Sequence, residues 1–357
     1  MFEFILLDSI VKLNGERTIY NIFHLLTAKK STQTVQDSNL FDLTKYFGVY
    51  KSLARAEFNQ KIQQFMEQDI IQLNKEKQTA DVTENGKVFY QQLKAEYEEA
   101  IYLNGAKYQD VAARYSLHLL LFIQTITHLH VNKHRFIPII EDIETQKFIK
   151  RLWKLEQKKG TERLLHDLYQ DLNDLLIGLP DTHAGVFVDS LTSQRKVGLS
   201  KYQVANKYQL THHDVQLMFT NVIHAICTAI ENGKDFAFLH QLYVIKKEKP
   251  LLSNSANQTL YYMEHGLSVE EIAHLRHLKQ NTIMDHIVEI AYVNKTFNWS
   301  TYITKEQIAL IKEALSEIQS KKLKEIKSKL PESISYFHIK LVMALGYKET
   351  IEERDYV

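Results

Sequence analysis

The 357-residue chain has little that punctuates or cross-links a fold: 11 glycines, 4 prolines and one cysteine, Cys227. Scarce glycine and proline leave few places for tight turns and strand breaks, which argues for a mainly α-helical protein with short connections. A single cysteine excludes an internal disulfide, and apolar neighbours at helical spacing put Cys227 in a core. Charge of one sign is missing too. Forty-four Lys and Arg balance 43 Asp and Glu, a net charge of +1. No global field gathers nucleic acid or an anionic membrane, so any such contact must come from a local patch. The opening MFEFILLDSIVKLNGER is only briefly apolar, carries Glu3 and Asp8 and has no basic lead. Neither a signal peptide nor a membrane span is expected there, and the reading is cytoplasmic.

Catalytic motifs are also absent. There is no GxxxxGK[ST] loop, no GxGxxG after a strand and no HExxH helix. Of the 16 histidines, the densest group is HLHVNKH, with His128, His130 and His134. On a helix His130 and His134 share a face, but no nearby carboxylate completes a three-ligand set. No metal, no cofactor and no enzymatic activity are expected.

What is present is helical periodicity in four segments. Residues 1–95 read as a winged-helix-like domain. Helices over Ile19–Thr27, from Thr32 and over Leu53–Gln68 precede two short strands, Ile70–Leu73 and Thr79–Val82, and a closing helix capped by Thr83. In such a domain the third helix enters the major groove, where Lys51, Arg55 and Lys61 would meet DNA, and Lys77 in the wing would reach a phosphate. Glu57, Glu67, Asp69 and Glu76 lie among these residues, so a helix that only packs on a partner fits the same pattern. Residues 96–190 read as a helical spacer or docking region, 191–250 as a helix-turn-helix-like unit and 251–357 as a second helix-turn-helix domain with C-terminal helices.

The last two segments echo each other at an offset of 68 residues. Gly198-Leu199-Ser200 aligns with Gly266-Leu267-Ser268, Val204-Ala205 with Ile272-Ala273, Leu210 with Leu278 and Val215 with Ile283. In a helix-turn-helix the serine caps the first helix and the alanine lets the second cross closely. The leucine plugs the turn and the β-branched residue anchors the second helix. Gln209 and His277 occupy the turn position that usually takes glycine. The two copies read as a tandem, against the alternative that the upstream match is an ordinary amphipathic helix. Upstream, Lys201, Lys207, Thr211, His212 and His213 are the candidate DNA contacts, supported by Arg195, Lys196 and the KKEK run at Lys246–Lys249. Downstream they are Lys279, Gln280, Asn281 and Thr282, joined by His286 once it gains a proton below about pH 6.5. The basic run SKKLKEIKSK, Ser320–Lys329, is a further phosphate contact or a solvated face. The downstream copy is acidic, with Glu270, Glu271, Asp285 and Glu289. If only one copy touches phosphate, the upstream copy is expected to do so, while Glu270, Glu271 and Asp285 hold a protein partner.

Three features carry a family resemblance: the Thr282-Ile283-x-x-His286 helix, the Leu278-Lys279 pair before it and the closing Ile334-Ser335-Tyr336-x-x-Ile339 segment. Together they resemble the helix-turn-helix domain at the C-terminus of bacterial RecQ-type helicases, in which glycine is usual where this chain has His277. The length, the domain order and the stretch Lys29–Gly48 resemble the YpbB family, stand-alone proteins encoded beside a RecQ-type helicase. The resemblance implies a non-enzymatic DNA-binding accessory protein that partners such a helicase in replication, recombination or repair. A sequence-specific transcription regulator and a protein–protein adaptor with little DNA affinity are the alternatives.

Overall fold

The computed structural model describes residues 1–244, 251–294, 296–318 and 321–346. The helices run α1 Phe2–Leu13, α2 Tyr20–Leu26, α3 Thr32–Leu40, α4 Arg55–Glu67, α5 Glu84–Tyr97, α6 Gly105–Tyr108, α7 Val111–His130, α8 Ile143–Glu156 and α9 Thr161–Leu176. They continue as α10 Asp181–Asp189, α11 Lys201–Tyr208, α12 His212–Glu231, α13 Asn254–Glu264, α14 Val269–Leu275, α15 Gln280–Val293, α16 Lys305–Glu317, α17 Leu323–Lys327 and α18 Tyr336–Ala344. Among the described residues the only sheet is a two-stranded ribbon of β1 Ile71–Asn74 and β2 Thr79–Val82. The protein is mainly α, as its shortage of glycine and proline predicts. The order of three helices, ribbon and helix over residues 20–97 is that of a winged helix. No helix among the described residues is long and apolar enough to cross a membrane.

The chain forms two compact units, each assembled from three separate segments. One contains Met1–Asp8, Lys45–Ile70 and Val82–Glu248, the other Ser9–Thr44, Ile71–Asp81 and Lys249–Val357. Residues 1–95 thus contribute to both.

In the first unit α7 is the central rod. Leu119, Phe122 and Ile126 on it are fully buried and pack with Leu164 and Leu168 of α9 and with Val222, Ile226 and Cys227 of α12. Each such side chain contributes about 1.5–3 kcal/mol through burial. Asp171 shares the inner face of α9 with those leucines, and its carboxylate accepts the amides of Ala237, Phe238 and Leu239 at 2.7–2.9 Å. One charge therefore satisfies three donors of a segment that has no ladder of its own. Thr83 caps α5 by accepting the Gly86 amide at 3.0 Å. Gly86 itself is needed because a Cβ there would lie 2.0 Å from the Ile70 carbonyl oxygen.

α7 ends at His130, and Asn132 turns left-handed at φ +57°. His134 therefore lies beyond the helix, and the face expected for His130 and His134 does not form. The exit residue, rather than the spacing, decides this. Cys227 is buried, as expected.

In the second unit α15 is central and packs on α3, α13, α14 and α18. Ile272, Ile283 and Ile287 form one cluster, and Ile311, Ile326, Ile339 and Leu341 another. Asp37 on α3 is buried and gathers Arg17 Nε (2.9 Å), Asn21 Nδ2 (2.7 Å) and Gln33 Nε2 (2.8 Å).

Candidate nucleic-acid interface

Two three-helix units, α10–α11–α12 and α13–α14–α15, repeat the same local chemistry. Ser200 caps α11, with the Gln203 side chain accepting the Ser200 amide at 2.9 Å; Ser268 caps α14, with Glu271 accepting the Ser268 amide at 2.8 Å. Val204 and Ile272 are fully buried, and Ala205 and Ala273 nearly so. Gln209 and His277 both take the left-handed conformation, at φ +56° and +51°. A side chain there costs about 1–2 kcal/mol that glycine avoids. The turns close alike: the Leu210 amide donates to the Ala205 carbonyl and the Leu278 amide to the Ala273 carbonyl, each at 2.9 Å. Val215 and Ile283 anchor the second helices. The upstream segment thus shares the local geometry of the downstream one at each aligned position.

The second helices differ at their exposed ends. Upstream, Thr211 caps α12 through the Asp214 amide at 3.1 Å. The Asp214 carboxylate accepts the backbone nitrogens of Met1 (3.0 Å) and Phe2 (2.8 Å), and these bonds with the Met1 charge hold its pKa below the usual range despite burial. His213 is buried, stacked on the Phe2 ring at 4.5 Å and bonded to the Tyr50 hydroxyl at 2.8 Å; burial lowers its pKa to about 4. His212 Nε2 lies 3.2 Å from Glu57 Oε1 on α4. The His213 side of the start of α12 is thus covered by the start of α1 and by α4, while Thr211 is exposed and His212 half-buried. Lys207 and Lys196 both pair with Asp189, which they hold well below the usual carboxylate range, and Lys201 bonds to Gln216. This copy is the one expected to meet phosphate; its described lysines Lys196, Lys201 and Lys207 and part of its helix start are engaged within the unit. The KKEK run at Lys246–Lys249 lies outside the described residues.

Downstream, the start of α15 is open. Lys279, Gln280 and Asn281 are exposed and Thr282 is half-buried. Arg276, the residue before the left-handed turn, fastens α14 to α13: its guanidinium donates to the Ser255 carbonyl, the Ser255 hydroxyl and Gln258, each at 2.9 Å. No local pattern marks Arg276 for this role, since its partners sit on a different helix.

Two downstream expectations, His286 and Glu289, need correction, and two more of the acids have intramolecular roles. His286 is buried, its Nδ1 2.8 Å from the Thr259 hydroxyl, and burial followed by the Arg276 charge lowers its pKa to about 4. It neither faces DNA nor gains charge near pH 6.5. Glu289 is fully buried and accepts both the amide and, at 3.0 Å, the hydroxyl of Ser253. Glu271 is used as a cap, and those bonds lower its pKa. Asp285 pairs with Lys340 at 2.8 Å, and its carbonyl accepts Gln36. Of the acidic face, Glu270 alone is exposed without a partner among the described residues.

The N-terminal candidates divide similarly. Lys51 donates to the Gln109 carbonyl (3.0 Å) and to Asp110 (2.9 Å), and Lys61 pairs with Glu3 at 2.9 Å. Arg55 is exposed on the first turn of α4, and Lys77 is exposed in the ribbon turn. In the basic run Lys321 donates to the Leu40 carbonyl, Lys327 to the Pro331 carbonyl, Lys322 pairs with Glu325 and Lys329 with Glu317. Ser320 lies outside the described residues. Two lysines of the run thus pair with carboxylates and two donate to carbonyl oxygens.

Residues 255–343 match the family described as a helix-turn-helix domain. That span begins in α13 and ends in α18, so it contains the open start of α15. The whole chain is similar to Protein YpbB of Bacillus subtilis (strain 168), with 28% identity over 342 residues, 96% of each protein. The resemblance to the YpbB family thus extends along almost the full length. No solved structure matches the chain.

Proposed function

We propose that this chain is a cytoplasmic, non-enzymatic DNA-binding accessory protein that works beside a RecQ-type helicase, and that it meets DNA through Lys279, Gln280 and Asn281. The helix-turn-helix family match supports DNA binding in general. The observation that carries the choice of surface is the exposure of these three residues at the start of α15, against the partly covered start of α12. One lysine and two amides beside exposed Glu270 supply few counterion-releasing contacts, so the affinity is modest and steeply salt-dependent. The helicase partnership rests on the C-terminal resemblance. For the adaptor reading, Glu270 and the capping Glu271 are exposed, while Asp285 is already paired with Lys340 and Glu289 is buried, which narrows the acidic surface.

Fluorescence anisotropy of the full chain with single-stranded, duplex and forked DNA at two salt concentrations tests this. We expect binding that weakens with salt. Lys279→Glu should reduce affinity about tenfold and lower the salt slope by about one, while Lys207→Glu leaves both within twofold. No binding at low salt, or an effect of Lys207→Glu as large as that of Lys279→Glu, overturns the assignment. Co-purification of the chain with the helicase tests the partner separately.

A further inference from the structure

Glu57, His212 and His213 come from distant parts of the sequence and converge at one point of the first unit. One ligand atom from each lies within 4.8 Å of the other two. We propose that these three side chains form a binding site for a divalent transition metal of the zinc class, with water in the fourth position.

Two imidazoles and one carboxylate suit zinc rather than magnesium or calcium, which take all-oxygen shells. The spacing is close to what coordination needs. Ligands about 2.0–2.2 Å from a tetrahedral zinc are about 3.3–3.5 Å from one another, and His212 Nε2 already lies 3.2 Å from Glu57 Oε1. The His212 and Glu57 side chains are 28% and 35% exposed and so have room to adjust.

Each ligand is also held from behind, as metal ligands commonly are. The other Glu57 oxygen accepts the Ala54 amide at 3.2 Å, which turns Oε1 toward the histidines. His213 is fixed by the Tyr50 hydroxyl at 2.8 Å and by the Phe2 ring. The His212 ring lies between those of Tyr202 (5.0 Å) and His213 (3.9 Å). The amide ends of α4 and α12 oppose a cation here, and Lys61 adds to that. The Glu57 and Asp214 carboxylates act on His213 in the opposite direction. The solvent-facing side, through half-exposed His212 and Glu57, leaves the fourth position to water. An ion bound here would tie the start of α12 to α4.

The test uses the full chain freed of metal by chelation, then titrated with Co²⁺ for its visible spectrum and with Zn²⁺ by equilibrium dialysis and elemental analysis. We expect one equivalent bound, a tetrahedral cobalt spectrum and a raised melting temperature. His212→Ala should weaken binding at least tenfold, and the near-isosteric Glu57→Gln should do so with the far-ultraviolet dichroism unchanged. His130→Ala should leave binding within twofold. Absence of stoichiometric uptake by the unsubstituted protein would make the cluster a hydrogen-bond network only. Uptake insensitive to Glu57→Gln and His212→Ala, or removed by His130→Ala, would place the metal elsewhere. Either result overturns the proposal.

Discussion

The α11–α12 and α14–α15 pairs are built alike and placed in different employment. The serine caps, buried alanines, left-handed turn residues and leucine-to-alanine hydrogen bonds coincide position by position. In the upstream copy the first residues of the second helix hold Phe2, Tyr50 and Glu57; at the same positions downstream, Gln280 and Asn281 face solvent and Thr282 is half-buried. The residues that make a helix-turn-helix and those that let it reach DNA are therefore separate sets. A chain can keep the first set while committing the second to its own packing.

The comparison is broken most severely through Asn221 and Glu289, which occupy equivalent positions on α12 and α15 and are both fully buried. Asn221 accepts the Tyr102 amide at 2.7 Å and donates to the Ala100 carbonyl at 2.8 Å, while Glu289 serves Ser253. Replacing either by alanine strands buried backbone groups. Denaturant unfolding should show a loss of about 2–4 kcal/mol in each variant. A loss below about 0.5 kcal/mol in one alone would mean that the two frames are not equivalent.

Acid sharpens the downstream copy. His286 is held at about 4 against 6.5 for a free imidazole. Its surroundings are Thr259, the Arg276 guanidinium and Asp285, itself paired with Lys340. Between these two values the unfolded chain binds a proton that the folded chain refuses. Stability contributed by neutral His286 is therefore full above pH 6.5 and declines as pH falls toward 4, by at most about 3 kcal/mol. Melting temperature against pH should be less steep over that interval in His286→Gln than in the unsubstituted protein; parallel curves would refute the assignment.

The smallest effect concerns the turns. Gln209→Gly and His277→Gly remove left-handed strain but loosen the unfolded chain. Each should stabilise by up to about 1 kcal/mol, read as a rise of a few degrees in melting temperature. A fall in either variant would show that its side chain does more than fill a strained position.

What could be read from the sequence was what is local. Ser200 and Ser268, the Ala–Leu spacing across each turn and the Thr83 cap act over a handful of residues, so pattern alone places them. The burial of His213, Glu289 and His286, the pairing of Lys207 with Asp189 and the engagement of Lys51 depend on partners 18 to 211 residues away. No periodicity encodes those. The charge count favoured the upstream copy for the same reason: a lysine tallied in a window is indistinguishable from one already paired with a distant carboxylate. Glu57 with His212, 155 positions apart, lay beyond any spacing rule.

The division of each unit into three segments has a consequence in time. The second unit needs Ser9–Thr44 and Ile71–Asp81 together with Lys249–Val357, so its early helices leave the ribosome about 200 residues before the partners that cover them. At about 5–20 residues per second that interval is roughly 10–40 s. During it, Val35 and Leu26 lack the second unit's late segment, and the Asp37 cluster with its three short-range donors is the device at hand to hold α2 and α3 together. A nascent chain of this protein must keep a half-built domain waiting for most of its own synthesis.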